Sequence, residues 1–113
     1  MAIYANIFID QGSTFSSIVT VNGSDGLVFD LTGYTARGQI RKAYASTTYT
    51  AFTVTINNPE DGEIVLALTA AQTAALSSGR YVYDIEIVET SSGAVTRVIE
   101  GQVEINPRVT RVS

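Results

Sequence analysis

Apolar residues recur at every second position through most of this 113-residue chain. That period is the repeat of a strand with one buried face, and it constrains the fold more than any other feature. Tyr81, Tyr83, Ile85 and Ile87 alternate with Val82, Asp84, Glu86 and Val88. The same pattern holds over Ile3–Ile9, Thr14–Val21, Tyr34–Arg41, the Phe52/Val54/Ile56 run, Ile64–Leu68 and Val95–Ile105, with a short apolar run at Leu27–Leu31. Between these runs stand Gln11-Gly12-Ser13, Asn22 to Gly26, Asn57 to Gly62 and Ser91-Ser92-Gly93, all built from residues that favour turns or tolerate positive φ. About seven strands with turns every eight to twelve residues predict an all-β fold, an immunoglobulin-like antiparallel β-sandwich. The chain length fits one domain. Residues 1–106 are its sandwich and 107–113 an extended C-terminal tail, because Asn106-Pro107 ends the last strand: proline has no N–H for the ladder.

One segment breaks the period. Thr69-Ala70-Ala71-Gln72 is a capping box, followed by Ala74, Ala75 and Leu76 and then Ser78-Gly79, so a short helix is predicted near residues 70–77. Residues 43–48 are small, hydroxyl-rich and aperiodic, and predict a surface loop. Gly101, inside a strand pattern, predicts a bulge or a close approach between backbones.

The composition removes much chemistry. The chain has no cysteine and no histidine, which excludes disulfides, thiol nucleophiles, zinc sites built on those ligands and serine–histidine units. A single lysine beside six arginines, at a formal charge of −4, makes nucleic acid an unexpected partner, since phosphate binding runs on cations. No apolar run approaches the roughly 20 residues that cross a bilayer, so no membrane is expected. Met1–Asp10 lacks a basic region followed by a long apolar one and reads as the start of a non-secreted, soluble product. A core of this size leaves no room for a large internal cavity, and binding should be superficial.

Several clusters bear on chemistry. Asp84 and Glu86 share a strand face but read as its wet side. Glu60-Asp61-Gly62-Glu63 lacks the alternating ligands of a calcium loop. Asp10-Gln11-Gly12-Ser13 lacks the further glycines of a phosphate cradle, and Ser13, Ser16 and Ser17 have no base. No catalytic residue, metal ligand or cofactor site is predicted. Arg37, Arg41 and Lys42 form the one basic cluster, expected to pair across strands with Asp84 and Glu86. Tyr81 or Tyr83 is expected to be a core tyrosine whose hydroxyl bonds to backbone. Phe8, Tyr44 and Tyr49 are the interface candidates, on outward faces or in a loop, because aromatic anchors dominate interface energetics. Arg108, Val109 and Arg111 join them in a tail that could fray, or could dock on a neighbouring subunit as an added strand.

Read end to end, the chain resembles a small virion structural protein of tailed phages, especially contractile-tailed phages of cyanobacteria. The resemblance is carried by Ile9-Asp10-Gln11-Gly12-Ser13-Thr14-Phe15, Phe29-Asp30-Leu31-Thr32-Gly33-Tyr34 ahead of Arg37, Ile40 and Arg41, and Leu68-Thr69 before the helix. Gly79-Arg80-Tyr81-Val82-Tyr83-Asp84 and Glu100-Gly101-Gln102-Val103 before Val109-Thr110-Arg111 complete it. The layout is also similar to the N-terminal immunoglobulin-like domain of phage baseplate upper proteins. The resemblance implies a non-enzymatic subunit of the virion, assembled in the host cytoplasm, that binds other virion structural proteins at the tail or baseplate periphery, with a homo-oligomer as an alternative arrangement. Two other roles suit such a chain: a capsid decoration or cement protein, and a carbohydrate-binding module using Tyr44, Tyr49 and Phe8.

Overall fold

A computed structural model describes residues 3–23 and 26–109. Among these residues nine strands, one α-helix and one 3-10 turn follow in order: β1 (Ile3–Tyr4), β2 (Ile7–Asp10), β3 (Phe15–Thr20), β4 (Tyr34–Arg41), β5 (Thr50–Ala51), β6 (Thr53–Asn58), the 3-10 turn (Pro59–Asp61), β7 (Glu63–Leu68), α1 (Ala70–Ala75), β8 (Gly79–Glu89) and β9 (Val95–Asn106). They form two sheets. The larger has the order β1-β9-β8-β4-β5, with β2 also on β9, and the smaller has the order β3-β7-β6. The chain is an immunoglobulin-like β-sandwich.

The seven predicted runs become nine segments because the first run breaks in two and a short strand forms just ahead of the Phe52 run. The Phe52 run changes sheet: β5 pairs with β4, Phe52 N–H donates to Gly38 O at 3.0 Å, and β6 then pairs with β7. The first run stays on one partner but is interrupted at Ala5–Asn6. It also corrects the expectation of an all-antiparallel sandwich, because β1 and β2 both lie parallel to β9. The chain enters alongside its own last strand, in the same direction, and covers what would otherwise be an edge of β9.

The interruption has a local cause in Gly101. A Cβ there would stand 2.0 Å from Ala5 O. With no side chain in the way, the Ala5 carbonyl passes over β9 and accepts the Tyr83 hydroxyl at 2.7 Å, while Ala5 N–H donates to Glu100 O at 2.9 Å. Diverted to Tyr83, that carbonyl is lost to the parallel ladder, and Gln102 N–H donates instead to Asn6 Oδ1 at 3.2 Å. Gly101 thus marks a close approach. The bulge in β9 lies elsewhere, at Val98, where the register steps from Ile85 opposite Ile99 to Glu86 opposite Arg97. Val98 and Ile99 are both buried, as a bulge permits.

Between the sheets lies one core, with Ile9, Val21, Leu31, Ile40, Ile64, Leu66, Ile85, Ile87, Val103 and Ile105 at its centre. Phe52 packs edge-on to Tyr83 with ring centroids 6.0 Å apart. Residues 27–31 do not form a strand of their own: Val28 makes a single bridge to Asn22, Phe29 N–H donates to Val21 O, and buried Leu31 is fixed by its N–H to Pro59 O. Gly62, at φ +67°, closes this end, for a Cβ would meet the carbonyls of Phe29 and Val21 at 2.7 Å each.

The capping box forms as predicted, Thr69 Oγ1 accepting from Gln72 N–H and Gln72 Oε1 from Thr69 N–H. The helix stops at Ala75, two residues before the predicted end. Leu76 turns extended and goes into the core, and its carbonyl accepts from Gln11 Nε2 at 2.8 Å. No helix is long and apolar enough to cross a membrane among the described residues.

Candidate functional site

Two features of the larger sheet's outer face are candidates for binding. The first is a shallow groove of about 450 Å³ over β4, β8 and β9, lined by Arg37, Gln39, Arg41, Asp84, Glu86 and Arg97, with Tyr44 at its lip. Alternation puts these side chains outward because Ile40, Tyr83, Ile85 and Ile87 fill the inward positions. Its charges are largely paired: Arg37 Nε lies 2.9 Å from Glu86 Oε1, and Arg97 reaches Asp84 at 3.3 Å and Glu100 at 3.8 Å. Burial pushes the Asp84 carboxyl above its usual range, with Arg97 pulling it back and Glu86 and Glu100 adding to the rise. Such half-exposed pairs are worth about 0–1 kcal/mol each, so they order the surface more than they hold the fold.

The expected cross-strand pairing is met at Arg37 alone. Register sets Arg41 opposite Val82 and Asp84 opposite Gln39, so Arg41 donates instead to Gln39 Oε1 at 2.9 Å and to Ser46 O, and lies 4.9 Å from the centre of the Tyr49 ring. Lys42 sits over the Tyr81 ring at 4.7 Å. Asp84 takes its partner, Arg97, from the other side, an approach set by the Val98 bulge, for which the sequence carries no signal.

Both tyrosines of β8 bond to backbone carbonyls. Tyr83 is buried and holds Ala5 O, its hydroxyl pushed up to about 12 by burial first and by Tyr4 second. Tyr81 donates to Ser77 O, four residues upstream, at 2.9 Å.

The second feature lies at the β1/β2 edge. Tyr4 and Phe8 are 62% and 65% exposed, opposite Glu100 and Glu104 of β9. Phe8 also lines a small depression of about 140 Å³ with Arg80, Gln102 and Glu104. Tyr4 was missed by the sequence reading, although it shares the Phe8 face by the same alternation.

Phe8 stands at one edge of the sheet, while Tyr44 and Tyr49 belong to the β4–β5 connection at the other. Strands β9, β8 and β4 lie between them, so the three aromatics do not form one platform. Tyr44 is free at the groove lip, 77% exposed, whereas Tyr49 packs under Arg41. Arg108 is held at the β2–β3 turn: its N–H donates to Gln11 Oε1 at 3.5 Å, and its guanidinium lies over Gly12. Val109 is exposed, and Arg111 lies outside the described residues. Among the described residues no group of three or more carboxylates gathers as a metal site.

No protein-family model and no curated protein matches this chain. Solved structures do. InlP of Listeria monocytogenes aligns over 93% of this chain at 20% identity with a TM-score of 0.50, and the chain spans 28% of the length of InlP. The natural killer cell receptor NKp44 aligns over 94% of this chain and 99% of its own at 14% identity, with a TM-score of 0.47. The extracellular fragment of novel immune-type receptor 11 from Ictalurus punctatus covers 100% of this chain and 92% of its own at 12% identity, with a TM-score of 0.44. At such identities the likeness is one of fold.

Proposed function

We propose that this chain is a non-enzymatic assembly subunit of a tailed-phage virion, placed at the tail or baseplate periphery, whose work is to bind other virion proteins. The virion setting rests on the sequence resemblance, carried by the Asp10-Gln11-Gly12-Ser13, Phe29 to Tyr34 and Gly79 to Asp84 elements. The observation that carries the binding role is the exposed pair Tyr4 and Phe8 on the β1/β2 edge. Two large aromatics held outward on strands paired with β9 have few side-chain torsions to fix and much apolar area to bury, the properties of interface anchors. Glu100, Glu104 and Arg80 around them supply a polar rim.

Location in the particle tests this reading. With the chain labelled and purified virions imaged by cryo-microscopy, density at the tail or baseplate is the expected result. Label spread evenly over the head would move the assignment to capsid decoration, and a particle free of the protein would end the virion reading.

A further inference from the structure

The smaller sheet has one long edge that nothing covers among the described residues. β3 is hydrogen-bonded to β7 alone, and just beyond the strand Val21 N–H donates to Gly62 O at 2.8 Å. Residues of an antiparallel strand bond alternately to one side and the other. Phe15, Ser17 and Val19 therefore share the Val21 side and bond β7, while Ser16, Ile18 and Thr20 turn their N–H and C=O groups outward.

Unpaired edges invite pairing with another chain, and sheets normally guard them by shortness, charge, proline or a bulge. The other edges are guarded in these ways. β5 is two residues long, the β1/β2 edge is interrupted at Ala5–Asn6, and β6 has a register shift before Asn58 and runs into Pro59. β3 has six residues, Phe-Ser-Ser-Ile-Val-Thr, with no charge and no proline, in unbroken register with β7.

We propose that β3 pairs antiparallel with β3 of a second copy about a two-fold axis through Ile18, joining two three-stranded sheets into one of six. The segment is complementary to itself about that residue: Ile18 faces the partner's Ile18, and Ser16 faces the partner's Thr20. Each facing pair exchanges two hydrogen bonds, so every outward backbone group of Ser16, Ile18 and Thr20 is satisfied. The side chains agree. Ile18 is 63% exposed and lies beside half-buried Val65 on the outer face, so pairing makes a continuous apolar stripe from Val65 through the two isoleucines to the partner's Val65. The charged side chain on this face is Glu63, beside Thr20 and already taken up by the amides of Asn57 and Asn58. No like charges meet across the axis. The fit of the segment to its own reverse is the reason to name a second copy as the occupant. The proposal goes beyond the assembly reading and holds or fails whether or not the protein belongs to a virion.

The contact is smaller than a standard interface, so association should be weak and concentration-dependent. Amide exchange followed by NMR at about 20 μM and about 1 mM, with sedimentation at both, tests it. In dilute protein the amides of Ser16, Ile18 and Thr20 should exchange at least about tenfold faster than those of Ser17 and Val19. In concentrated protein they should slow by about tenfold or more as the sedimenting mass doubles. Ile18→Lys, which sets two ammonium groups across the axis, should stay monomeric with an unchanged circular dichroism spectrum. A monomer at every concentration overturns the proposal. So does protection of the three amides that is independent of concentration, or a dimer that persists in Ile18→Lys. If that variant fails to fold, exchange in the unaltered chain decides alone.

Discussion

Replacing Gly101 with alanine tests how the first strand is held. The new methyl group would stand 2.0 Å from Ala5 O and 2.8 Å from Ala5 C, whereas carbon and oxygen come into contact at about 3.3 Å. The obstacle is backbone, which cannot swing aside like a side-chain tip, so β1 and β2 must retreat by about 1 Å. Retreat strains or breaks the two hydrogen bonds made by Ala5, to the Tyr83 hydroxyl at 2.7 Å and to Glu100 O at 2.9 Å. Each contributes about 0.5–1.5 kcal/mol. Against this, alanine lowers the conformational entropy of the unfolded chain and returns about 0.4–1 kcal/mol. At the middle of these ranges the balance is a loss of about 1.3 kcal/mol, or about 5 °C in the thermal midpoint of a domain this size. Calorimetry gives the total. Amide exchange gives the place: Ala5 and Ile7 should lose protection while Ile40 and Ile85 keep theirs. A midpoint unchanged in Gly101→Ala would refute the crossing of Ala5 over Gly101 and the anchoring of the first strand that depends on it.

Ile85 is fully buried, and Ile85→Ala should cost about 2–5 kcal/mol in chemical denaturation through lost transfer energy and the cavity left behind. A cost below about 0.5 kcal/mol would contradict the assignment of this face to the core. Tyr83 keeps its proton in the folded state up to about 12, against 10.0 when unfolded. The folded form therefore binds more protons in that window, and stability should fall as pH rises from 10 toward 12. Tyr83→Phe should be less stable near neutrality, with the Ala5 carbonyl left short of a donor, and should lack this share of the alkaline loss. Parallel pH profiles for the two proteins would contradict the buried hydroxyl.

Much of the fold was legible because period-two alternation reports burial directly. β4 was read at its observed bounds, and the capping residues Thr69 and Gln72 were visible as a local motif that needs no tertiary information. Features set by long-range contacts were not legible. The parallel pairing of β1 and β2 with β9 depends on which edge the N-terminal segment reaches, a matter on which its alternation is silent. The sheet change at Phe52 is hidden for the same reason, since Phe52, Val54 and Ile56 keep one inward face through the crossing. The Val98 bulge has no marker of its own, and without it the partner of Asp84 could not be named. At the surface, Phe8, Tyr44 and Tyr49 were identified by outward or loop position and are exposed, while the stacking of Arg41 on Tyr49 depends on how the β4–β5 connection folds back.

Tyr4→Lys combined with Phe8→Lys asks whether the β1/β2 edge is the assembly surface. Both positions are exposed, and a lysine at each would face Glu100 or Glu104 on β9, so the sandwich should melt as before. Mass spectrometry of purified particles then counts copies of the chain per virion. A folded variant missing from the particles is the expected result, and incorporation at the unaltered copy number would rule this edge out as the assembly surface.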